Sequence, residues 1–372
     1  MTAPAGARFG ALDRLVRRGT RQPISHPVAA DDAAYLARKG PLKIAFRIAR
    51  RSVELAASGQ RKFECERIDP AWTRALWIHA EAPQIGDALM DLAPRSLLAE
   101  RGIALDLLAP ATIAALFAGD RGFTRVLDDE TAIEPGRYDF VVVDSRAWKA
   151  LAAKRRRLPA LPWLSIKGDY LGYDYHRGLL ATRRLAERLG IGLDDAAERR
   201  HSRQKLWLEG GEHDGAWQEP PRVAMALGGV RAERSYAQWA EVAARLHASG
   251  VERFVLLGSA NARADRDAVV QRLAGTGADV LDLVASTDLH GTWRAMRQAR
   301  VVACADGGLM HLAFATSTPV VALFDSSIDP AWRVPLDAAC HALRSGTRDV
   351  SAIAPDRVAA AVLDAMAAAR SG

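Results

Sequence analysis

The sequence has few cysteines and no long uncharged hydrophobic run. Its three cysteines, Cys65, Cys304 and Cys340, are odd in number and far apart, which argues against a disulfide framework and favours a reducing compartment. No apolar run approaches the roughly 18 residues of a membrane span. Arginines interrupt every apolar stretch near the N-terminus, so no signal peptide is expected. We therefore expect a cytoplasmic protein.

Several catalytic motifs are also missing. The chain has no Walker loop, no Gly-x-Ser-x-Gly and no Cys-x-x-Cys. No strand is followed by Gly-x-Gly-x-x-Gly, which makes a nicotinamide dehydrogenase a distant alternative. The only Asp-x-Asp, Asp265-Arg266-Asp267, falls in a predicted helix, where residues two apart face different ways, so no metal site is expected. Zinc spacings and aromatic sheet motifs are absent too, so nucleic acid is not an expected partner.

The positive charge is concentrated at the N-terminus. Residues 1–72 carry 14 Lys and Arg against 7 Asp and Glu, whereas the other 300 residues carry 37 of each. We therefore predict a basic extension over 1–72, followed by a neutral body long enough for two domains. Such an extension suits an anionic surface, and the anionic inner membrane is the expected one.

A basic amphipathic helix is predicted after Pro41. Two interpretations stay open: the helix lies on an anionic bilayer, or it packs its apolar stripe on the body. Its apolar residues at helical spacing are Leu42, Ala45, Phe46, Ala49, Val53 and Ala56, with Lys43, Arg47, Arg50 and Arg51 on other faces.

The body alternates short apolar runs with helical patterns, twice over. This predicts an α/β protein of two Rossmann-like, doubly wound parallel-sheet domains facing a cleft. We place an N-terminal acceptor domain at 73–200, a linker rich in glycine and proline at 201–221, and a C-terminal nucleotide-sugar domain at 222–372. The expected strands are Leu76–Ala80, Ala104–Ala109, Phe140–Val143, Trp163–Ile166, Val223–Leu227, Phe254–Leu257, Val280–Leu283, Val301–Ala303 and Val320–Phe324.

Three helices have recognisable boundaries. A helix is expected over Ala88–Glu100, stopped by Gly102. Ser235 and Gln238 form a predicted capping box for a helix through Trp239. Ser286 or Thr287 is the expected N-cap of a helix that reaches Gln298.

The sharpest local feature is a strand that ends in Asp306 and turns through Gly307 and Gly308 into a helix carrying His311. Glycines admit a ligand close to the backbone, and the N–H groups of a new helix favour an anion, to which His311 can add a donor. The alternative is a tight turn in which Asp306 is an N-cap and His311 lies on the surface.

Two segments resemble one family. Asp306–Ala313, followed by Thr318–Phe324, is similar to the signature of the family 9 glycosyltransferases, the heptosyltransferases of lipopolysaccharide core assembly. Gln84–Leu89 resembles their Ile-Gly-Asp loop after the first strand. The resemblance implies a GT-B fold and an inverting, metal-independent transfer from ADP-heptose or a related nucleotide sugar, without a cofactor.

Family roles then carry over by position. Asp87 matches the general base, and an N-cap is the plain structural alternative for it. Asp91 is the fallback base because it lies four residues on, on the same helix face. Arg234 stands where the family has a phosphate-reaching lysine, and Ser326 replaces a family hydroxyl. The donor loop matches Asp306, Gly307, Gly308, Leu309 and His311.

The chain departs from the family at Gly307, which replaces a hydroxyl residue, and at Asp325, which adds a negative charge near the diphosphate. The acidic residue expected after Gly258 is not matched, and Asp265 is the nearest carboxylate. We predict transfer of a heptose to a lipopolysaccharide-type acceptor. A nucleotide-sugar epimerase and a non-catalytic nucleotide-sugar-binding relative are the alternatives.

Two groups of residues are candidates for contacts with the acceptor. His79 shares a strand face with Glu81 and can bind acceptor, or the two form a satisfied structural pair. Lys154 and Arg155, in a run of four basic residues, can meet acceptor phosphates, or they form a solvated loop face.

Overall fold

A computed structural model describes residues 10–20, 38–172, 176–208 and 222–369. The described residues form two compact units. The first comprises residues up to Ala82, Pro94–Ala114 and Gly122–Glu198, and the second comprises Pro83–Ala93, Ala115–Arg121 and the residues from Arg199 onwards. The glycines and prolines of the predicted linker lie outside the described residues.

Eleven strands and thirteen α-helices lie within the described residues. The strands are β1 (Arg74–Ile78), β2 (Ala104–Leu108), β3 (Arg125–Leu127), β4 (Phe140–Val143), β5 (Trp163–Ser165), β6 (Arg222–Ala226), β7 (Arg253–Leu257), β8 (Asp279–Asp282), β9 (Val301–Ala305), β10 (Val320–Phe324) and β11 (Cys340–Arg344). The helices are α1 (Ala11–Thr20), α2 (Pro41–Ala57), α3 (Ile85–Asp91), α4 (Arg95–Glu100), α5 (Ala111–Phe117), α6 (Trp148–Arg157), α7 (Arg177–Leu189), α8 (Asp195–Ser202), α9 (Trp239–Ala248), α10 (Arg263–Leu273), α11 (Leu289–Arg297), α12 (Gly308–Phe314) and α13 (Pro355–Ala368).

Both sheets are parallel and share one winding order. The first runs β3-β2-β1-β4-β5, and the second runs β11-β10-β9-β6-β7-β8. The first strand of each unit therefore has the second and the fourth as neighbours, which is the Rossmann arrangement. The central strands are buried on both faces of their sheet, and in β4 of the first sheet all four residues are buried. The predicted α/β class with two doubly wound sheets is confirmed.

Two edge strands and several helix boundaries differ from the predictions. The edge strands β3, which has three residues, and β11, which is partly exposed, are not predicted from the sequence. The predicted helix Ala88–Glu100 is two helices, because Pro94 interrupts it and becomes the N-cap of α4. The predicted capping box is absent, since Ser235 donates to the Arg231 carbonyl and the Gln238 amide donates to Ser351. Asp288, not Ser286 or Thr287, caps α11 by accepting from the Gly291 N–H.

The helix predicted after Pro41 forms as α2, with proline at its first position. Its buried face differs from the predicted stripe. Ile44, Ala45, Ile48 and Leu55 are buried within the first unit, whereas Leu42 and most of the predicted apolar residues are exposed. Within the described residues, no helix is long and apolar enough to cross a membrane.

Candidate active site in the second unit

Two buried carboxylates and one arginine meet beyond three adjacent strands of the second sheet. Asp306 follows β9, Asp325 follows β10, and Arg234 lies in the segment after β6. The Arg234 guanidinium lies 3.2 Å from Asp306 Oδ2 and 3.4 Å from Asp325 Oδ2. Ligands of doubly wound sheets bind at the carboxyl ends of the strands, so this cluster stands at the expected edge. The sequence predicts Arg234 and Asp306 here but not their direct pairing.

The negative charge of Asp325 is balanced by neighbouring groups. Besides Arg234, its carboxylate accepts hydrogen bonds from the backbone N–H and the hydroxyl of Ser327. Ser326 is half-buried, and its backbone carbonyl accepts from Arg344, the last residue of β11. Arg344 is a second cation at this edge that the sequence does not single out. The site therefore combines two basic and two acidic groups.

The turn into α12 is shaped by Gly307 and Gly308. Gly307 is the N-cap residue in extended backbone, so the alternative of Asp306 as N-cap is wrong. A Cβ on Gly307 would meet only the Ala305 carbonyl, at 3.9 Å, so this glycine leaves open space. Gly308 is different, since a Cβ there would lie 2.7 Å from Ile85 Cγ1. Gly308 therefore allows close packing, whereas Gly307 leaves room for a ligand or a larger side chain.

Helices α3 and α12 pack against each other within the second unit, although more than 200 residues separate them. Gly308 accommodates Ile85, and Gly86 accommodates the ring of His311. A Cβ on Gly86 would stand 3.0 Å from His311 Cγ and closer still to Cδ2. The two family-like segments therefore meet directly, through glycines on both sides.

His311 is buried, not on the surface, and its orientation is fixed. Its Nδ1 lies 3.0 Å from Gln204 Oε1, while the Gln204 amide nitrogen lies 3.5 Å from the Arg333 carbonyl. An amide oriented in this way accepts from His311 Nδ1–H. Gln204 falls in the predicted polar linker, and nothing in that pattern indicates its role. The described part of that linker is ordered, with Leu206 and Leu208 buried.

The two candidate bases differ in access. Asp87 is half-buried in the first turn of α3, and the N-cap of this helix is Gln84, so the N-cap alternative for Asp87 is wrong. Asp91, one turn later, is buried.

Asp265, the carboxylate nearest to Gly258 in the sequence, accepts a hydrogen bond from the Gly228 backbone, which supports the turn after β6. Burial raises the pKa of Asp265, against this hydrogen bond.

The predicted acceptor role of His79 does not fit its position. The side chain is fully buried, and its Nδ1 lies 3.0 Å from Asp144 Oδ1. Its Nε2 lies 3.0 Å from the Ala82 carbonyl. With both ring nitrogens engaged, His79 is a satisfied structural group. Its carboxylate partner is Asp144, not Glu81, because Asp144 follows β4, the strand next to β1.

The basic run after Ala153 also differs from the prediction, since it forms the last turn of α6 rather than a loop. Lys154 is fully buried and donates to Gln60 Oε1 and the Pro159 carbonyl. Burial lowers the pKa of Lys154 to about 8. Arg155 stacks on the Trp148 ring, 3.4 Å from its centroid. Lys154 therefore cannot reach an acceptor phosphate in this conformation, and the four basic residues do not form one patch.

Two Rossmann-like units, one with a glycine turn and a charged cluster beside its strand ends, are the architecture of the GT-B fold. Comparison with known proteins gives a family match for part of the chain. Residues 182–355 match the profile of glycosyltransferase family 9 (heptosyltransferase). This segment, just under half of the chain, is similar to a family 9 domain, and the chain is a glycosyltransferase.

Solved structures support the same fold. A family 9 glycosyltransferase from Veillonella parvula superposes with a TM-score of 0.63 at 12% identity, covering 82% of this chain and 100% of its own. The E. coli ADP-heptose lipopolysaccharide heptosyltransferase II superposes with a TM-score of 0.57 at 18% identity, covering 80% of this chain and 100% of its own. E. coli heptosyltransferase WaaC with ADP superposes with a TM-score of 0.60 at 16% identity, covering 79% of this chain and 100% of its own. A search of functionally curated proteins found no significant sequence match.

Proposed function

We propose that this glycosyltransferase moves a heptose from ADP-heptose to a hydroxyl of a lipopolysaccharide-core acceptor, with inversion and without a metal. One observation carries the proposal. The segment bearing Asp87 packs directly on the helix of the family signature, with Gly86 against His311. The proposed base and the proposed donor loop therefore belong to one compact unit.

The donor diphosphate would bind at the strand edge beside Arg234. Departure of the nucleoside diphosphate builds negative charge on its phosphate, which fixed cations and helix N–H groups can stabilise. Arg234, Arg344, the Gly307–Leu309 turn and His311 provide these groups here. In the present structure Asp306 and Asp325 hold Arg234. A bound diphosphate would share that guanidinium with the two carboxylates, and Ser326 would be a further polar contact.

Asp87 would act as the general base. Its carboxylate takes the proton of the acceptor hydroxyl while that oxygen forms the new bond to the anomeric carbon. The bond between the anomeric carbon and the phosphate oxygen breaks at the same centre, and ADP leaves from the opposite face. The half-buried Asp87 is more accessible than the buried Asp91, which favours it for this role.

Two similarities support the donor and the acceptor. The structurally similar WaaC holds ADP, and the other E. coli relative is named as an ADP-heptose lipopolysaccharide heptosyltransferase. Because such an acceptor is anchored in a membrane, we place the enzyme in the cytoplasm at the inner-membrane surface.

The direct experiment combines the purified enzyme, ADP-heptose and a heptose-deficient lipopolysaccharide acceptor, with and without EDTA. We expect acceptor-dependent release of ADP and addition of one heptose, unchanged by EDTA. Conversion of the donor without acceptor would indicate an epimerase, and donor binding without turnover would indicate a non-catalytic relative. Activity that EDTA abolishes and a divalent cation restores would contradict metal independence.

A further inference from the structure

Helix α2 presents a second apolar face that nothing in the described residues covers. Leu42, Phe46 and Val53 are 70%, 67% and 66% exposed. Their spacing of four and seven residues places them on one side of the helix, with the small side chain of Ala49 between them. Large apolar groups scattered singly are ordinary on a surface, but three aligned along one helix form a patch that indicates a binding partner.

Leu42, Phe46 and Val53 form an exposed apolar stripe, and cations flank it. The exposed cations of α2 are Lys43, Arg47 and Arg50. Each of them is at most three positions away from one of the exposed apolar residues, so the cations border the stripe along the helix. The only acidic residue of α2 is Glu54, which forms an ion pair with Arg50 at 2.7 Å. An apolar stripe beside lysines and arginines is the pattern of helices that lie in the interface of an anionic bilayer.

The opposite face of α2 fixes the helix to the protein. Leu55 belongs to the hydrophobic core of the first unit. Ile44 and Ile48 pack with Leu15 of α1 and with Leu171, which follows β5. Gly19 of α1 lies so close that a Cβ there would be 3.0 Å from both isoleucines. The exposed stripe is therefore held on a rigid support rather than on a loose arm.

The same two helices adjoin the carboxyl edge of the first sheet. Arg18 of α1 donates to Asp169, four residues beyond β5, at 2.6 Å. Arg146, three residues beyond β4, donates to the same carboxylate at 2.8 Å. The Leu171 N–H also donates to the Gly19 carbonyl at 2.6 Å. Ligands of a parallel sheet bind at this edge, so the support of the stripe is built onto the ligand-binding side of the first unit.

We propose that α1 and α2 form a membrane-docking element that inserts Leu42, Phe46 and Val53 into an anionic bilayer, and that this places the carboxyl edge of the first sheet beside the lipid surface. The occupant is the bilayer because the stripe is bordered by cations, which a neutral protein surface does not require. The consequence for catalysis rests on the proposed function: an acceptor anchored in the bilayer would reach the enzyme by diffusion along the surface.

Vesicle sedimentation tests the docking without any substrate. The full-length chain should bind phosphatidylcholine vesicles containing phosphatidylglycerol and bind pure phosphatidylcholine at least ~10-fold more weakly. Leu42→Ser/Phe46→Ser/Val53→Ser should lower the affinity for anionic vesicles at least ~10-fold. Lys43→Gln/Arg47→Gln should lower it about fivefold per cation, with a weaker salt dependence. The matched controls, Val270→Ser/Leu281→Ser/Leu336→Ser and Arg348→Gln/Arg357→Gln, should bind as the wild type does.

Unchanged vesicle binding by the stripe variant, or equal binding to neutral vesicles, would overturn the proposal. A stripe variant that turns a dimer into a monomer, without any vesicle binding by the wild type, would show that a second copy occupies the stripe. Activity measurements distinguish a failure of membrane docking from a failure of the proposed function. The stripe variant should retain turnover on a delipidated, soluble acceptor and lose it at least ~10-fold on a vesicle-anchored one. An enzyme inactive on both acceptors, yet bound to anionic vesicles, would refute the proposed function alone.

Discussion

The ring of His311 rests on the Cα of Gly86, and no side chain fits between them. Gly86 directly precedes Asp87, and His311 belongs to the helix that follows the Asp306 turn. This contact brings together the two segments of the chain that the sequence assigns to the reaction. Because Gln204 also binds the ring at Nδ1, His311 has little freedom to move.

Gly86→Ala should therefore reduce turnover strongly without unfolding the protein. The new Cβ displaces the His311 ring and disturbs its hydrogen bond with Gln204, and a displacement of about 1 Å in an active site can reduce the rate on the order of 100-fold. Gly308→Ala should be milder, because the flexible end of Ile85 can move aside. Steady-state kinetics and thermal melts measure both effects.

Gly192→Ala is the matched control, since a Cβ at Gly192 meets nothing within 4 Å. A Gly86→Ala enzyme with wild-type turnover would show that the contact has no bearing on the site.

Asp87→Asn should abolish transfer and leave donor binding nearly unchanged. The amide keeps the shape of the side chain but cannot take the acceptor proton, and loss of a general base typically lowers the rate by ~100- to 10,000-fold. Single-turnover kinetics with saturating ADP-heptose measure the rate, and calorimetry measures the donor affinity. Asp364→Asn, at an exposed carboxylate of α13, is the control. An equal loss of donor binding in Asp87→Asn would indicate a structural role instead.

Gly307→Ser should be tolerated and should strengthen donor binding. The backbone at Gly307 is extended, which any residue adopts, and a Cβ there has open space. The serine hydroxyl would supply the donor that the family resemblance leads one to expect at this position, and one hydrogen bond to a charged group is worth about 1.5–3 kcal/mol. Calorimetric titration with ADP compares the two proteins. Weaker ADP binding by a stable Gly307→Ser protein would argue against a diphosphate at this turn.

Lys154 should make the free energy of unfolding rise with pH in the alkaline range. Its folded pKa of about 8 lies below the unfolded value of about 10.4. Below pH 8 the lysine is protonated in both states, and its burial penalty is fully present. Between the two pKa values the unfolded chain binds more protons, so the free energy of unfolding rises with pH, by at most about 3 kcal/mol.

Lys154→Met removes this group, so urea denaturation from pH 7 to 10.5 should show the wild type gaining stability relative to the variant. Lys149→Met, at an exposed lysine of the same helix, should follow the wild type. Parallel pH curves for the wild type and Lys154→Met would contradict the assignment.

The central strands and the edge strands β5 and β8 were predictable, but the edge strands β3 and β11 were not. The runs of β4 and β10 are apolar throughout because both faces are buried, and this pattern is visible in the sequence. The edge strands β3 and β11 are short or half-exposed, so their sequences carry no comparable signal. The helix break at Pro94 was readable from the proline alone, yet the apolar periodicity around it suggested one helix.

Side-chain partners were the least predictable part of the site. Arg234, Asp306 and His311 were predicted from the motifs, but the contacts of Arg234 with Asp325 and of His311 with Gln204 join residues far apart in sequence. Helix α2 shows a related limit. Its apolar residues fall on two faces, and the packing of α1, Leu171 and the core of the first unit decides which face is buried. Lys154 likewise belonged to a basic run whose members point to different partners once the helix forms.

The central claim is that the edge beside Arg234 binds a diphosphate, and a comparison of ADP with AMP tests it most directly. ADP should bind the wild type at least ~10-fold more tightly than AMP, since the second phosphate adds charge-assisted hydrogen bonds. Arg234→Gln should remove most of that preference, whereas Arg231→Gln, at an exposed neighbour, should retain it. Equal affinities of the wild type for ADP and AMP, or an unchanged preference in Arg234→Gln, would contradict the account.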